Sequence, residues 1–184
     1  HLVNDRRGLD IGYRHISLST CGLADGIRRL AGEELPITLS ISLHAPDDET
    51  RSAIMPVSRR YPIAELMAAC RCYYRTTERR ISFEYTLIKG KNSSPADARR
   101  LAELLNRSLR QDGLNMPIHV NLIPVNPVRE RSFERSTRQA VENFKINLEK
   151  YGINGTIRRE MGSDIDGACG QLRKRYMEKT ESEK

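Results

Sequence analysis

Polar and apolar residues alternate along several short segments of this chain, and helical patterns separate those segments. The expected strands are residues 13–20, 37–44, 80–88, 117–123 and a shorter 153–159. The expected helices are residues 23–31, a helix from Pro62 to about Tyr74, one that begins at Ser94-Pro95, and one from Thr137 to Lys150 with Ser136 as its cap. Regular alternation of strands and helices predicts right-handed βαβ units and therefore a parallel sheet in an α/β fold.

The alternation within each strand predicts that helices cover only one face of this sheet. Successive side chains of a strand point to opposite faces, so one face carries apolar residues such as Leu18, Ile41 and Phe83. The other face includes Ser17, Ser19, Ser40, Ser42, His44, Ser82, Glu84, His119 and Asn121. Strands buried between two helix layers are apolar throughout, so this polar face is expected to meet water or a ligand, as in a barrel lumen. An antiparallel sheet with one solvated face is the alternative.

Ligands of parallel α/β folds bind at the C-terminal ends of the strands. Those ends are expected at residues 19–22, 42–46, 89–90 and 124–127. A closed eight-stranded barrel takes ~250 residues, and this chain has 184. We therefore expect a partial parallel (β/α) barrel, whose two open sheet edges promote self-association.

Composition narrows the class of protein. The net charge is +7, and most of the 31 basic residues are arginines, which permits an RNA partner or merely a solvated surface. No apolar run approaches the ~18 residues of a membrane helix, and the first residues lack the apolar core of a signal peptide. The chain begins at His1, which indicates a piece of something longer. The spacing of its four cysteines fits neither a zinc module nor a disulfide framework, so we expect a reducing cytoplasm.

Four residues are candidates for chemistry, each with a structural alternative. Cys169 lies in a Gly/Asp-rich loop, where an exposed thiol serves as a nucleophile or covalent carrier, or is an ordinary loop thiol. His44, at the end of a strand, is able to bind a ligand carboxylate or to act as an acid–base group. The alternative is a histidine whose hydrogen bonds are satisfied by the backbone. Glu84 must pair with an inward His or Arg, bind a ligand, or shift its pKa. Asn126 between two prolines is a fixed amide or a turn residue.

Four ordered motifs resemble those of the radical S-adenosylmethionine (SAM) RNA methyltransferases. They are residues 17–22 (SLSTCG), 41–49 (ISLHAPDDE), 121–127 (NLIPVNP) and 164–172 (DIDGACGQL). The resemblance runs from about residue 8 to 175. Members of this family methylate carbon 2 of an adenosine in 23S rRNA and often in tRNA. A sister group methylates carbon 8 of the same adenosine and confers antibiotic resistance.

The resemblance implies a fold and a set of roles. The fold is an incomplete (β/α)6 barrel, and the SAM-contacting residues are Ser19, Ser42, Leu43, His44 and Asn126. Cys169 carries a methyl group that one SAM donates. A second SAM is reductively cleaved at a 4Fe-4S cluster, and the resulting 5′-deoxyadenosyl radical takes a hydrogen from that methyl, which then adds to the adenine. A disulfide between Cys169 and a second cysteine releases the product.

The cluster motif CxxxCxxC of the family is missing from this sequence, and the spacing of Cys21, Cys70 and Cys72 does not replace it. We therefore expect a C-terminal half that is inactive alone, with residues 1–160 as part of the barrel and 161–184 as the catalytic-cysteine loop and basic tail. The cluster ligands, the second cysteine and an RNA-binding domain belong to a missing N-terminal half.

Two other classes of protein are alternatives: another barrel enzyme and a non-catalytic RNA-binding module. A barrel enzyme for phosphorylated metabolites needs a glycine-rich phosphate loop ahead of a late helix, whereas residues 162–170 follow the last strand and carry two aspartates. A non-catalytic RNA-binding module stacks bases on aromatic residues of an exposed sheet, whereas the exposed face here is Ser, Thr and His.

Overall fold

All strands in residues 2–125 and 133–159, the part of the chain that the computed structural model describes, run parallel in one sheet. The strand order β1-β2-β3-β4-β5 follows the chain. The strands are β1 (Ser17–Thr20), β2 (Thr38–Ser42), β3 (Ile81–Leu87), β4 (Ile118–Pro124) and β5 (Asn154–Ile157). The helices are α1 (Ala24–Gly32), α2 (Asp48–Ile54), α3 (Ile63–Thr77), α4 (Pro95–Leu109) and α5 (Arg138–Lys150). The predicted parallel α/β sheet is confirmed, and the antiparallel alternative is wrong.

The sequential strand order places the helices on one side of the sheet. Crossovers between neighbouring parallel strands are almost always right-handed and return on the same face, so within the described residues the order 1-2-3-4-5 leaves the opposite face without helices. Leu39, Ile41, Phe83 and Val120 are fully buried on the covered face, in one core cluster with the inward residues of the helices. Tyr85 packs its ring 5.3 Å from that of Phe144 of α5. The strands therefore show a covered apolar side and a polar side, as their alternation predicts.

The first strand departs from the expectation in two ways. Residues 13–20 were expected to be extended, but Tyr13–His15 form a turn of 3-10 helix and β1 begins only at Ser17. Leu18, expected on the covered face, is 41% exposed. The reason is position, because β1 is an edge strand with β2 as its only neighbour in the described sheet.

Side-chain caps set the starts of three helices. Ser94 and Asp97 cap each other's backbone N–H groups at the start of α4, where Ser94 is the expected cap. Thr137 caps α5 by accepting the Ala140 N–H, so Ser136 is not the cap. Asp47 accepts the Thr50 N–H and starts α2, a seven-residue helix in a segment for which the sequence pattern predicts none. No helix in these described ranges is both long and apolar enough to cross a bilayer.

Candidate functional site

Polar side chains on the uncovered face form two hydrogen-bonded groups that cross from strand to strand. Ser17 and Ser40 hydroxyls lie 3.1 Å apart on β1 and β2. His119 of β4 bridges its two neighbouring strands, with Nδ1 3.0 Å from the Ser82 hydroxyl and Nε2 3.0 Å from the Thr156 hydroxyl. Burial is the main cause that lowers the pKa of His119, and Arg80 adds to it. The two groups hold the strands together, and their side chains already have protein partners.

Glu84 lies one step further along the same face. Asn121 donates its amide N–H to Glu84 Oε2 at 2.7 Å, and the Ser82 hydroxyl donates to Oε1 at 3.4 Å. Of the alternatives that the sequence leaves open for this carboxylate, pairing with an inward His or Arg is not found as a hydrogen bond or ion pair among the described residues. An amide from the adjacent strand takes that place, because Glu84 and Asn121 are register partners on β3 and β4.

His44 lies just past the end of β2, with a left-handed backbone (φ 58°). Its Nδ1 accepts the backbone N–H of Thr86 on β3 at 3.0 Å, which assigns the proton of the neutral ring to Nε2. Burial, and to a lesser extent the positive charge of Arg51, lower the pKa of His44 to about 4. At neutral pH the ring is therefore uncharged and offers a ligand one donor, Nε2–H.

The backbone around His44 is held by the protein itself. The Leu43 and His44 N–H groups both donate to the Glu84 carbonyl, at 3.0 and 3.3 Å. The Leu43 side chain is fully buried in the core. Within the described residues, the Ser42 hydroxyl has no hydrogen-bond partner, and neither does His44 Nε2. These two groups are the ones this segment leaves for a ligand.

Arg51 of α2 lies fully buried beneath the ends of β1 and β2. Its Nη2 donates to the carbonyls of Cys21 at 2.8 Å and Ser42 at 3.2 Å. Its Nε donates to the Leu43 carbonyl at 3.1 Å, and its Nη1 to the Tyr61 carbonyl at 3.4 Å. One guanidinium thus joins both strand ends.

Asn92 holds the other side of His44. It is fully buried, and its amide donates to the carbonyls of His44 and Thr86, both at 2.7 Å. Its Oδ1 accepts the Ile88 N–H at 2.7 Å. The end of β2 is thereby tied to the end of β3.

The end of β1 bends sharply towards α1. Ser19 is exposed and pairs in register with Ser40, so it lies beside the polar end of β2. Thr20 accepts the Gly22 N–H through its hydroxyl at 3.2 Å. Gly22 has φ 102°, and a Cβ there would lie 2.8 Å from Arg51 Nη2, so glycine is needed both for the backbone and for the space.

The fold brings four of the predicted site residues to one edge of the sheet. Ser19, Ser42, Leu43 and His44 lie at the C-terminal ends of the neighbouring strands β1 and β2, as parallel topology predicts. Asn126 and Cys169, the other two predicted site residues, lie outside the described residues. The hydroxyls and the neutral imidazole N–H suit a polar ligand such as SAM, whose carboxylate and ribose present acceptors.

The described cysteines do not fit an iron–sulfur cluster. Burial raises the pKa of Cys70 to about 12, which disfavours the thiolate that a cluster requires. Cys72 is exposed on the same helix, and Cys21 follows β1. Among residues 2–125 and 133–159, no three His, Cys, Asp or Glu side chains are grouped to hold a metal.

Sequence reasoning missed Arg51 and Asn92, the two buried polar residues that shape this site. Arg51 lies in a charged stretch (DDETR) that reads as solvated surface, and only the N-cap pattern of Asp47 and Thr50 could have indicated a helix there. Asn92 lies in a turn rich in polar residues. No local signal shows that either side chain is buried.

Known proteins align with almost the whole length of this sequence. A protein of Clostridium novyi named "Probable dual-specificity RNA methyltransferase RlmN" is 52% identical over 176 residues, which are 96% of this chain and 49% of that protein. A protein of the same name from Symbiobacterium thermophilum is 54% identical over 179 residues, which are 97% of this chain and 46% of that protein. This chain thus spans about half the length of the curated relatives it matches. No family model matches it.

Solved structures share the fold. A radical SAM methyltransferase from Sphaerobacter thermophilus superposes with a TM-score of 0.83 at 46% identity, over 92% of this chain and 47% of that one. A domain of a pyruvate-formate lyase-activating enzyme from Bacteroides vulgatus gives a TM-score of 0.58 at 18% identity, which shows the fold alone. These relatives confirm the resemblance that the four motifs indicated.

Proposed function

We propose that this chain is the C-terminal half of a radical SAM methyltransferase that methylates carbon 2 of an adenosine in 23S rRNA, and also acts on tRNA. One observation carries the assignment: about half of the residues are identical, over 96% of the chain, to proteins named dual-specificity RNA methyltransferases. Residues 1–160 would form part of the barrel and 161–184 the catalytic-cysteine loop and basic tail. The whole protein would work in the cytoplasm.

The strand ends are proposed as part of the SAM site. Ser19, the Ser42 hydroxyl and His44 Nε2 would donate to SAM, with Asn126 joining them from the segment after β4. The side chain of Leu43 is buried and its N–H donates to the Glu84 carbonyl, so neither group is available to SAM. Leu43 would contribute by anchoring the backbone between Ser42 and His44. The neutral state of His44 supports this role, because a neutral ring donates to SAM without repelling its sulfonium.

Cys169 is proposed as the residue that carries the methyl group to the adenine. In the sequence it lies between Gly167 and Gly170, in the fourth of the motifs that carry the resemblance to this family. A 4Fe-4S cluster, held by residues outside this chain, would supply the electron for reductive cleavage of SAM. The chain alone would not bind the cluster and would not methylate RNA.

Two features of the structure disfavour a non-catalytic RNA-binding module. The aromatic residues of β3, Phe83 and Tyr85, are fully buried on the helix-covered side and cannot stack on bases. The uncovered face carries hydroxyl, imidazole, amide and carboxylate groups instead.

The full-length protein with Cys169→Ala tests the proposal. We expect no methylation of RNA, whereas the matched change Cys72→Ala, at an exposed thiol on α3, leaves methylation intact. Mass spectrometry of wild-type Cys169 should detect an added methyl group. Nucleoside analysis of the treated RNA should find 2-methyladenosine; 8-methyladenosine would identify the sister carbon-8 activity, and RNA methylation by the Cys169 variant would contradict the role of the thiol.

A further inference from the structure

We propose that Arg51 is a positioning residue for SAM: its guanidinium fixes the two strand ends that would bind this ligand in one mutual geometry. This role rests on the proposed function, since it concerns the same site. Arg51 belongs to α2, has no place in the motif-derived set of SAM contacts, and lies behind the site rather than in it.

The contacts of Arg51 converge on the backbone of the proposed SAM site. Two of its four carbonyl partners belong to Ser42 and Leu43, and a third belongs to Cys21, two residues after Ser19. Cys21 and Ser42 share a single nitrogen, Nη2, at 2.8 and 3.2 Å. A shift of either strand end relative to the other would therefore break a bond to the same atom.

The chemistry of the guanidinium suits this task better than that of any other side chain. It presents five N–H donors in a planar fork, and four bonds are made here in different directions. A lysine ammonium has the charge but not the fork, and its three donors diverge from one point.

Burying the positive charge of Arg51 costs hydration free energy, which other interactions must offset. Arg51 is fully buried, and in the described part of the chain no carboxylate is in ion-pair contact with it. Burial lowers its pKa, while the nearby Asp48 acts in the opposite direction. A buried charge without an ionic partner is destabilising unless dipoles replace water. Here the carbonyl dipoles of the site backbone take that place.

Gly22 provides independent support from the other strand. Its backbone conformation (φ 102°) and the 2.8 Å between a would-be Cβ and Arg51 Nη2 leave room for glycine only. The β1–α1 turn is therefore shaped around the guanidinium. A methyl group at this position would displace the fork while leaving Arg51 itself in the sequence.

The consequence for the ligand is a fixed pair of donors. With the Ser42 and Leu43 carbonyls bonded to Arg51, the end of β2 cannot rotate, so the Ser42 hydroxyl and His44 Nε2 keep their directions. Hydrogen bonds weaken steeply when donor and acceptor are misaligned, so a shift of the strand end would weaken the bonds to SAM. Arg51 would thus set the affinity for SAM without touching it.

The test is steady-state RNA methylation by the full-length protein with Arg51→Lys, compared with Arg75→Lys at an exposed position of α3. We expect the KM for SAM to rise at least about tenfold in Arg51→Lys, with kcat at saturating SAM within about threefold of wild type. Arg75→Lys should match wild type in both. A merely structural role would lower kcat through loss of folded protein and leave the KM for SAM unchanged, which would overturn the inference.

Gly22→Ala provides a second route to the same readout, and it decides the question if Arg51→Lys does not fold. Its added methyl group should raise the KM for SAM in the same way, and a folded Gly22→Ala protein with the wild-type KM would overturn the inference. Failure of the proposed function is recognised separately, because the wild-type protein itself would then show no SAM-dependent methylation of RNA.

Discussion

At the scale of single residues, His44 shows how a partly buried environment selects one chemical form. Its Nδ1 is committed to the Thr86 N–H, and its surroundings keep the ring neutral, so it has one donor to offer and no charge. The acid–base role that the sequence left open for His44 requires a pKa near the working pH. A pKa of about 4 favours the ligand-binding role instead.

The same shift predicts a pH dependence of stability. The pKa of His44 is lowered to about 4 in the folded state, against 6.5 for a free histidine, so the unfolded chain takes up a proton first as the pH falls. The stabilisation is complete above pH 6.5 and is lost between pH 6.5 and about 4. It amounts to at most about 3 kcal/mol, at 1.36 kcal/mol per pKa unit.

His44→Asn is the variant that isolates this effect. Asparagine tolerates the left-handed backbone, and its Oδ1 can accept the Thr86 N–H, but it does not titrate in this range. Between pH 7.5 and pH 5, the urea midpoint of wild type should fall more than that of His44→Asn. His119 titrates in both proteins and cancels in the comparison. Equal losses in the two proteins would mean that His44 is not a buried neutral group.

At the scale of secondary-structure elements, two neighbouring hydroxyls at the start of α5 differ in whether they have a hydrogen-bond partner. The Thr137 hydroxyl caps the helix through Ala140, whereas the buried Ser136 hydroxyl has no hydrogen-bond partner among the described residues. A cap satisfies a backbone N–H that the helix leaves unpaired, and a buried hydroxyl without a partner is destabilising. Two adjacent residues of similar chemistry therefore contribute with opposite sign.

Alanine at these two positions should give opposite results in urea unfolding. Thr137→Ala removes the cap and is expected to lower the free energy of unfolding by about 1 kcal/mol. Ser136→Ala removes a buried polar group without a partner, so stability should stay the same or rise. A larger loss from Ser136→Ala than from Thr137→Ala would show that the cap is misassigned.

At the scale of the whole molecule, the strands follow one another across the sheet in chain order, and in residues 2–125 and 133–159 the helices cover only one face of it. In the part of the chain that the structure describes, β1 and β5 each have one neighbouring strand; β1 carries the half-exposed Leu18, whereas β5 presents Asn154 and Thr156. An open edge with apolar side chains is a template for pairing with another strand. We therefore expect the isolated chain to self-associate chiefly through β1.

Light scattering of the isolated chain, with a matched pair of substitutions, tests this expectation. Leu18→Lys places a charge on the edge strand and should shift the chain towards monomer. Ile146→Lys changes a residue of similar exposure, 47% against 41%, on α5, and should leave the association unchanged. A monomeric wild-type chain, or equal effects of the two lysines, would rule out association at this edge.

The overall sheet was predictable because its signals are local. Side chains alternate at every residue of a strand, so the polar and apolar sets were assigned to the right faces of β2, β3 and β4 before any contact was known. The assignment failed at Leu18, because exposure there depends on which strand forms the edge. It also missed α2, whose seven residues are too few to show a helical period.

The local pattern and the four motifs therefore specify the class of fold and predict the edge of the sheet for ligand binding, where Ser19, Ser42 and His44 lie. Their surroundings come from the folded chain. Asn92 meets His44 across 48 residues and Arg51 meets Cys21 across 30, and no periodicity connects such pairs. A buried polar side chain is stable only where the fold brings it acceptors, so its role is defined by distances in space and not by neighbours in sequence.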